Sequence, residues 1–173
     1  AMASALFKDW FVDFGPTRTK MRGQAPYLVA DAWEAFPGGF DNAGMPEGWR
    51  VYRLSDLAVL HTASVNPQQT PDAEFEHFSL PAYDSGQTPA VDFGRSIKSN
   101  KTVVPQFSVL LSKLNPEIPR VWLPASEGAR VQICSTEFLA MTPTSIASRS
   151  LLYGLFNEVN YRKRLVSTVT GTS

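Results

Sequence analysis

The chain has 173 residues, of which 43% are hydrophobic and 12% aromatic, so it can bury the core of one domain and is neither disordered nor fibrous. It has no apolar run long enough to cross a bilayer and no signal-peptide pattern, and its single cysteine, Cys134, excludes an internal disulfide framework. The formal net charge of zero argues against a chain that is basic throughout, and we expect a soluble, cytoplasmic protein.

The first predicted element is a helix over Ala3–Phe14, ended by Gly15 and Pro16. Its aromatic residues recur at helical spacing, and so short a helix cannot shield them alone. We therefore expect this face to dock on a partner surface, which is the domain, a symmetry mate or a second copy. The docking candidates are Leu6, Phe7, Trp10 and Phe11.

Residues 16–45 are rich in Gly, Pro and Ala, a composition typical of a connecting segment. One or two helical turns are expected over Asp31–Phe36. The predicted organisation is therefore a helix end over residues 1–15, a linker over 16–45 and a domain over 46–173.

The domain from Pro46 onward is predicted to be α+β: a single domain with a mixed, mostly short-stranded β-sheet and flanking helices, preceded by the short helix and linker. A short helix is expected over Leu54–Leu60. Frequent prolines keep the strands short. The expected strands are Phe75–Leu80, Val109–Leu111, Arg120–Leu123, Arg130–Cys134 and Glu137–Met141.

The last predicted helix begins after Ser148, a suitable N-cap residue. Its apolar stripe consists of Leu152, Leu155, Phe156 and Val159. Arg162, Lys163 and Arg164 would lie in its last turn, where cations either complement the helix dipole or contact DNA. Residues 167–173 are small and polar, and we expect them to be flexible.

Charge is unevenly distributed along the chain. Residues 47–94 contain seven acidic and two basic residues, whereas residues 95–130 contain six basic and two acidic ones. The stretch from residue 149 to the end adds four basic residues against Glu158. If the fold brings the two basic stretches together, a neutral protein presents a positive face; otherwise these are ordinary solvated charges.

Motifs of independent enzymes are missing. The sequence has no phosphate-binding Gly-x-x-x-x-Gly-Lys loop, no Gly-x-Ser-x-Gly elbow and no acid followed two residues later by lysine, as a metal-dependent nuclease needs. Glu74, Glu76 and His77 are clustered, but on a strand the histidine would point away from the two glutamates. Cys134 is predicted to be a small core residue. We therefore predict no catalytic residue, no metal site and no cofactor in this chain.

Several segments resemble the specificity subunits of type I restriction–modification enzymes. Ser4-Ala-Leu-Phe-Lys-Asp-Trp-Phe-Val-Asp-Phe-Gly-Pro-Thr-Arg is similar to the end of their first helical spacer. Pro46-Glu-Gly-Trp and Tyr52-Arg-Leu-Ser-Asp-Leu resemble the entry to their second target recognition domain. Further resemblance, in the same order, lies in Phe75-Glu-His-Phe-Ser-Leu-Pro-Ala-Tyr-Asp-Ser-Gly, Ser99-Asn-Lys, Val109-Leu-Leu-Ser-Lys-Leu-Asn-Pro-Glu-Ile-Pro-Arg-Val-Trp, Cys134-Ser-Thr-Glu-Phe-Leu and Leu165-Val-Ser-Thr-Val-Thr-Gly-Thr-Ser.

The resemblance implies a non-catalytic module that reads one half of a bipartite site in double-stranded DNA. Methyltransferase (modification) subunits and a restriction and motor subunit would be its partners. S-adenosylmethionine, ATP and magnesium would be bound only by those partner subunits. On this resemblance the chain corresponds to the end of the first spacer, the linker and the second recognition domain, without the first domain or the second spacer, so we expect one copy to read only one half of the site.

The family supplies no transferable base-contacting residue, so candidates come from chemistry. Phosphates bind Lys, Arg and small hydroxyls, while base edges are read by Arg, Asn or Gln. Lys101 and Lys113 are the strongest candidates. The full set of DNA-contact candidates is Arg95, Lys98, Asn100, Lys101, Lys113, Arg149, Thr170 and Thr172. The alternatives are a protein-interaction module without a DNA role and a divergent enzyme.

Overall fold

The computed structural model describes residues 2–125 and 128–170. It contains two compact units, Ala1–Tyr52 and Arg53–Ser173. The predicted boundaries at residues 15 and 45 stay predictions, and the division between compact units falls between Tyr52 and Arg53. Within the described residues, no helix combines the length and apolar character that a membrane span requires.

The first unit contains three short helices, α1 (Met2–Phe11), α2 (Gly15–Met21) and α3 (Ala30–Glu34). The helix predicted over Ala3–Phe14 ends at Phe11, and Gly15 and Pro16, which were predicted to stop it, begin α2 instead. Proline fits the first turn of a helix, where its missing N–H group needs no partner. The helical turn expected over Asp31–Phe36 is confirmed by α3.

Aromatic side chains pack against one another in the first unit. The Trp10 ring packs edge-on to Phe36, with 5.8 Å between ring centroids, and Phe11 lies 5.7 Å from Trp49. The Tyr27 hydroxyl donates a 2.7 Å hydrogen bond to Asp9. The segment predicted to be a linker therefore supplies much of the partner surface for the aromatic face of α1.

The second unit is built on two β-sheets. Strands β1 (Ala58–His61), β9 (Phe138–Pro143), β6 (Val109–Ser112) and β7 (Val121–Trp122) form an antiparallel sheet in that order. Strands β2 (Ser64–Val65), β5 (Lys101–Val103), β8 (Val131–Cys134), β3 (Glu74–Phe78) and β4 (Ala90–Phe93) form a mixed sheet, in which only the pair β3 and β8 is parallel. The α+β prediction is confirmed.

The predicted strands match β3, β6, β7, β8 and β9 within about two residues at each end. The helix predicted over Leu54–Leu60 is only partly right. Only Leu54–Leu57 form a helix, α4. Ala58 already begins strand β1, which pairs with β9. A further short helix, α5 (Leu80–Asp84), begins at the N-cap Ser79.

Strand β6 lies at the centre of the unit and is buried on both faces. Val109 and Leu111 point into one apolar cluster with Leu152 and Phe156, because alternate residues of a strand face opposite sides. Leu110 points into the other cluster, which also contains Phe78, Trp122, Cys134 and Phe138. Cys134 is fully buried there, which confirms its prediction as a core residue.

Helix α6 (Arg149–Asn157) begins as predicted, because the Ser148 hydroxyl accepts the Leu151 N–H at 3.0 Å. The prediction of one long helix is wrong. The backbone is extended at Glu158, and a separate helix, α7 (Val159–Thr170), follows. Val159 is consequently exposed instead of buried. Arg162, Lys163 and Arg164 lie within α7 rather than in its last turn, and residues 167–170 are helical rather than flexible.

Candidate nucleic-acid interface

Strands β3, β6 and β8 all end at the same end of the second unit. Ser135 N–H donates to the Phe78 carbonyl at 2.9 Å, so β3 and β8 end side by side. Lys113 N–H donates to the Glu137 carbonyl at 2.8 Å, which brings the end of β6 to the turn between β8 and β9. Strand β5 begins at the same end, where Thr102 pairs with Cys134.

The lysine edge is defined here as Lys98, Asn100, Lys101 and Lys113. Lys101 begins β5 and Lys113 follows β6 at this end, and Lys98 and Asn100 precede Lys101 in the same loop. Both Lys101 and Lys113 lie close enough to Cys134 for their positive charges to act on its thiol. Burial nevertheless raises the pKa of that thiol to about 12. The structure thus brings together the two lysines that the sequence ranked first.

Lys101 has an internal role within this edge. Its side chain is buried, and its ammonium donates to the Ser99 hydroxyl at 2.6 Å and to the Ser99 carbonyl at 3.3 Å. Burial also lowers the pKa of the ammonium. Lys101 therefore holds the loop in shape, and its ammonium is not free to reach a phosphate unless the loop rearranges.

Lys98, Asn100 and Lys113 are the members of the edge with free polar ends. Lys98 and Asn100 are exposed, and Lys113 is half-buried. Within residues 2–125 and 128–170, none of the three side chains forms a hydrogen bond or an ion pair. An unpaired ammonium and a free amide are the groups that phosphates and base edges recruit.

Arg149 lies at the opposite end of β6. Its guanidinium donates twice to the Ser108 carbonyl, at 3.0 and 2.9 Å, and once to the Pro124 carbonyl. Ser108 precedes β6 whereas Lys113 follows it, so the predicted meeting of Arg149 with the lysines does not occur. Burial lowers the pKa of Arg149, and its donors tie two loops together.

Arg95 is also separate from the lysine edge. Its guanidinium forms an ion pair with Asp72 and lies 4.5 Å from the centroid of the Phe93 ring. Its backbone N–H bonds the Pro71 carbonyl, beside the start of β3 rather than its end. Thr170 is the last residue of α7, with a side chain outside the described residues, and Thr172 lies outside them altogether.

The carboxy-terminal basic stretch meets the edge through different residues from those predicted. Arg162 donates to the Pro116 carbonyl at 2.7 Å, and Lys163 forms a 3.0 Å ion pair with Glu117. Pro116 and Glu117 belong to the β6–β7 loop, Lys113–Arg120, which begins at the lysine edge. The carboxy-terminal stretch therefore contacts this loop, but Arg162 is buried against carbonyl groups there and Lys163 is paired with Glu117.

Sequence reasoning missed the β6–β7 loop. Its Asn115-Pro116 dipeptide is a turn signal that could have indicated it. Asn115 adopts a left-handed backbone, with φ of 48°, which asparagine tolerates better than most residues. Leu114 and Ile118 are 44% and 46% exposed, so the loop presents two apolar side chains beside Lys113.

The acidic cluster on β3 is engaged with neighbouring strands. Glu74 accepts from Arg130 at 2.8 Å and Glu76 accepts from Gln132 at 2.5 Å. His77 bonds Asp92 at 2.8 Å. In the part of the chain that the structure describes, no three His, Cys, Asp or Glu side chains are grouped to hold a metal ion.

The predicted docking face of α1 is partly covered within the first unit. Phe7 packs on Phe11 with 5.1 Å between ring centroids, and Trp10 contacts Phe36. Leu6 and Phe11 keep 42% and 37% of their surface exposed. These two side chains are the part of the face that another molecule could still cover.

Comparisons with known proteins show a shared fold. The chain matches no family model and no curated protein. Among solved structures it is similar to the HsdS subunit from Thermoanaerobacter tengcongensis, with a TM-score of 0.55 and 18% sequence identity. The match covers 76% of this chain and 44% of that subunit. The chain thus shares its fold with part of an HsdS subunit and spans less than half of that protein's length.

Proposed function

We propose that this chain is a non-catalytic, sequence-specific DNA-binding module of a type I restriction–modification complex. The observation that supports it most is the fold shared with part of an HsdS subunit, a specificity subunit by name, together with the lysine edge on that fold. The sequence segments that resemble specificity subunits point the same way. In this role the chain directs partner adenine-methyltransferase and endonuclease subunits to one half of a bipartite site.

The lysine edge is the proposed contact surface for duplex DNA. Lys98 and Lys113 neutralise phosphates, while Asn100 offers an amide that can pair with a base edge. Lys101 supports the loop from inside. Catalysis and its cofactors, S-adenosylmethionine, ATP and magnesium, belong to the partner subunits, and the module works in the cytoplasm.

The salt dependence of DNA binding tests this proposal. Fluorescence anisotropy with a labelled random duplex of about 24 base pairs, at roughly 50 to 200 mM salt, gives the slope of log affinity against log salt. Each phosphate contact contributes about 0.9 to that slope. Replacing both lysines, Lys98→Ala with Lys113→Ala, should therefore flatten the slope by about 1.8 and weaken binding to every sequence.

Arg130→Ala is the matched control for the lost charge. Arg130 is half-exposed and paired with Glu74 at the start of β3, away from the lysine edge. The control should keep the wild-type slope. A wild-type chain without salt-dependent binding would reject the proposed function, and an unchanged slope in the double variant would reject the lysine edge as the contact surface.

The second candidate is a protein-interaction module that docks through α1. The exposed portions of Leu6 and Phe11 favour it, because large apolar side chains on a short helix are often covered by a partner. Light scattering distinguishes self-association directly. A dimer that the replacements Leu6→Ser and Phe11→Ser return to a monomer, in a chain that does not bind DNA, would favour this candidate.

A further inference from the structure

The β6–β7 loop is the tip of a β-hairpin at the edge of its sheet. Strands β6 and β7 are antiparallel neighbours, and β7 is the outermost strand. The loop starts at Lys113, a member of the lysine edge. The major groove of DNA is about 12 Å wide and admits a two-stranded β-ribbon. A hairpin tip beside an unpaired lysine thus has suitable dimensions for insertion into that groove.

Interactions with its surroundings hold this loop in one shape. Arg162, which is 2% exposed, bonds the Pro116 carbonyl with its Nε and the Phe156 and Asn157 carbonyls with its Nη1. At the other end of the loop, Arg120 forms two hydrogen bonds with Asp84, at 2.7 and 2.9 Å. A loop already fixed before binding loses little conformational entropy when it meets a ligand.

Local hydrogen bonds shape the tip further. The Ser112 hydroxyl accepts the Leu114 N–H at 3.1 Å and donates to the Leu114 carbonyl at 3.2 Å. Ile118 N–H donates to the Asn115 carbonyl at 2.8 Å, which closes a turn around Pro116. The side chains of Leu114, Asn115 and Ile118 consequently sit on a fixed backbone and point away from the core, since all three are exposed.

The chemistry of these three side chains matches one kind of base pair. An asparagine amide can donate to adenine N7 and accept from adenine N6, and apolar side chains contact the C5-methyl group of thymine. The Asn115 amide has no hydrogen-bond partner within residues 2–125 and 128–170. Leu114 and Ile118 flank it in sequence and would otherwise expose apolar surface to water on a rigid loop.

We infer that the β6–β7 loop is the base-reading element of this module and that it recognises an A·T pair in the major groove. Asn115 reads the adenine, and Leu114 and Ile118 contact the thymine methyl group. Lys113 precedes them at the start of the loop and faces the phosphates. This inference rests on the proposed DNA-binding function and adds to it the residues that select the sequence.

Selection from a random duplex pool, followed by affinity measurements on the enriched sequence, tests the inference. Asn115→Gly removes the amide and keeps the left-handed backbone accessible. We expect it to lower the preference for A·T at one position about 5- to 150-fold, the discrimination expected of one bidentate contact. Salt dependence should stay that of the wild type, because no phosphate contact is lost.

Phe107→Ala is the matched control. Phe107 is 58% exposed and also has a left-handed backbone, with φ of 63°, but it lies before β6, at the opposite end from the loop. It should leave both affinity and sequence preference unchanged. Thermal unfolding of every variant confirms that the exposed substitutions leave the fold intact.

Base analogues examine the same contacts from the DNA side. Uracil in place of the selected thymine removes only the methyl group, and 7-deazaadenine removes only the N7 acceptor. Uracil should weaken the wild type several-fold and leave the double variant Leu114→Ala with Ile118→Ala unaffected. The adenine analogue should weaken the wild type and leave Asn115→Gly unaffected.

The two failures are distinguishable. A wild-type chain that binds no duplex in a salt-dependent way overturns the proposed function as well as the inference. A wild-type chain that enriches a sequence, while Asn115→Gly and the apolar double variant enrich the same sequence with equal preference, overturns the inference alone. Loss of preference in Phe107→Ala would place the reading surface at the opposite end and would also overturn it.

Discussion

Lys101 and Lys113 carry the same charge at the same end of the domain, but their surroundings give them different roles. The Lys101 ammonium is buried against Ser99, and burial lowers its pKa. Lys113 is half-buried, and its ammonium has no ion-pair partner within the described residues. A buried ammonium that bonds its own loop stabilises the shape of that loop. An unpaired ammonium can instead neutralise a DNA phosphate, which releases the counterion bound to the DNA there.

Replacing Lys101 with methionine separates organisation from direct contact. Lys101→Met should weaken DNA binding, because the Lys98–Asn100 loop loses the bonds to Ser99, while the salt slope stays that of the wild type. Lys98→Met, the control on the same loop, should flatten the slope by about 0.9. Anisotropy titrations measure both quantities, and a flattened slope in Lys101→Met would show that the lysine contacts a phosphate itself.

Cys134 makes the stability of the fold depend on alkaline pH. Burial raises its pKa from 9.0 to about 12 in the folded chain. The unfolded thiol loses its proton first, so unfolding becomes easier as the pH rises above about 9, and the whole contribution is lost by about 12. The free energy of unfolding should fall more steeply between pH 8 and about 10.5 in the wild type than in Cys134→Ala. Parallel curves for the two chains in urea titrations would contradict the burial of the thiol.

Among the elements, α7 and the β6–β7 loop depend on each other. Helix α7 begins at Val159, directly after Glu158, whose carboxylate accepts the Tyr161 N–H at 2.7 Å and thereby caps the new helix. This break turns Arg162 inward, where it satisfies three carbonyl groups. The loop that we propose reads DNA is therefore held by helix α7, whose Arg162 lies 46 positions after Pro116.

Removing the Arg162 side chain tests this dependence. Arg162→Met leaves the carbonyls of Pro116, Phe156 and Asn157 buried without their donors, so we expect a loss of about 3 kcal/mol in the free energy of unfolding. Lys163→Met breaks only a half-exposed ion pair and should cost less than about 1 kcal/mol. Chemical denaturation compares the two, and equal losses would show that Arg162 does not hold the loop.

Local sequence pattern predicted most of the elements that contain their own signal. The N-cap Ser148 and the alternating strand at Glu74–Phe78 are examples. Strand β1 could not be predicted, because it exists through pairing with β9, whose residues lie about eighty positions away. Strands β2, β4 and β5 were missed for the same reason, since short strands of weak pattern are set by their neighbours.

The candidate site was predictable only in part. Sequence supplied the lysines, and the pairing of Thr102 with Cys134 brought them to one end. Arg149 could not be placed, because its acceptors are backbone carbonyls of Ser108 and Pro124, which carry no sequence signal. Asn115 was overlooked because its exposure and left-handed backbone are properties of the folded loop.

At the scale of the whole chain, the division between Tyr52 and Arg53 predicts where a protease cleaves the native chain first. Residues 50–53 lie outside helices and strands, and Val51 is 86% exposed. Trypsin at a low ratio should cleave first after Arg50, because an exposed, extended backbone fits a protease best. Mass spectrometry of the early fragments checks this, and a first cut after Arg22 or Lys98 would contradict the division.

The proposed DNA contact lies at the end of the second unit that carries the lysine edge. Hydrogen exchange of the full chain, with and without a selected duplex at low salt, measures this directly. We expect slower exchange of the amides in residues 98–101, 113–118 and 135–137, and unchanged exchange at Gln106–Ser108 and Gly128–Gln132, at the opposite end. Protection confined to the opposite end, or no protection at either end while the duplex is bound, would contradict it.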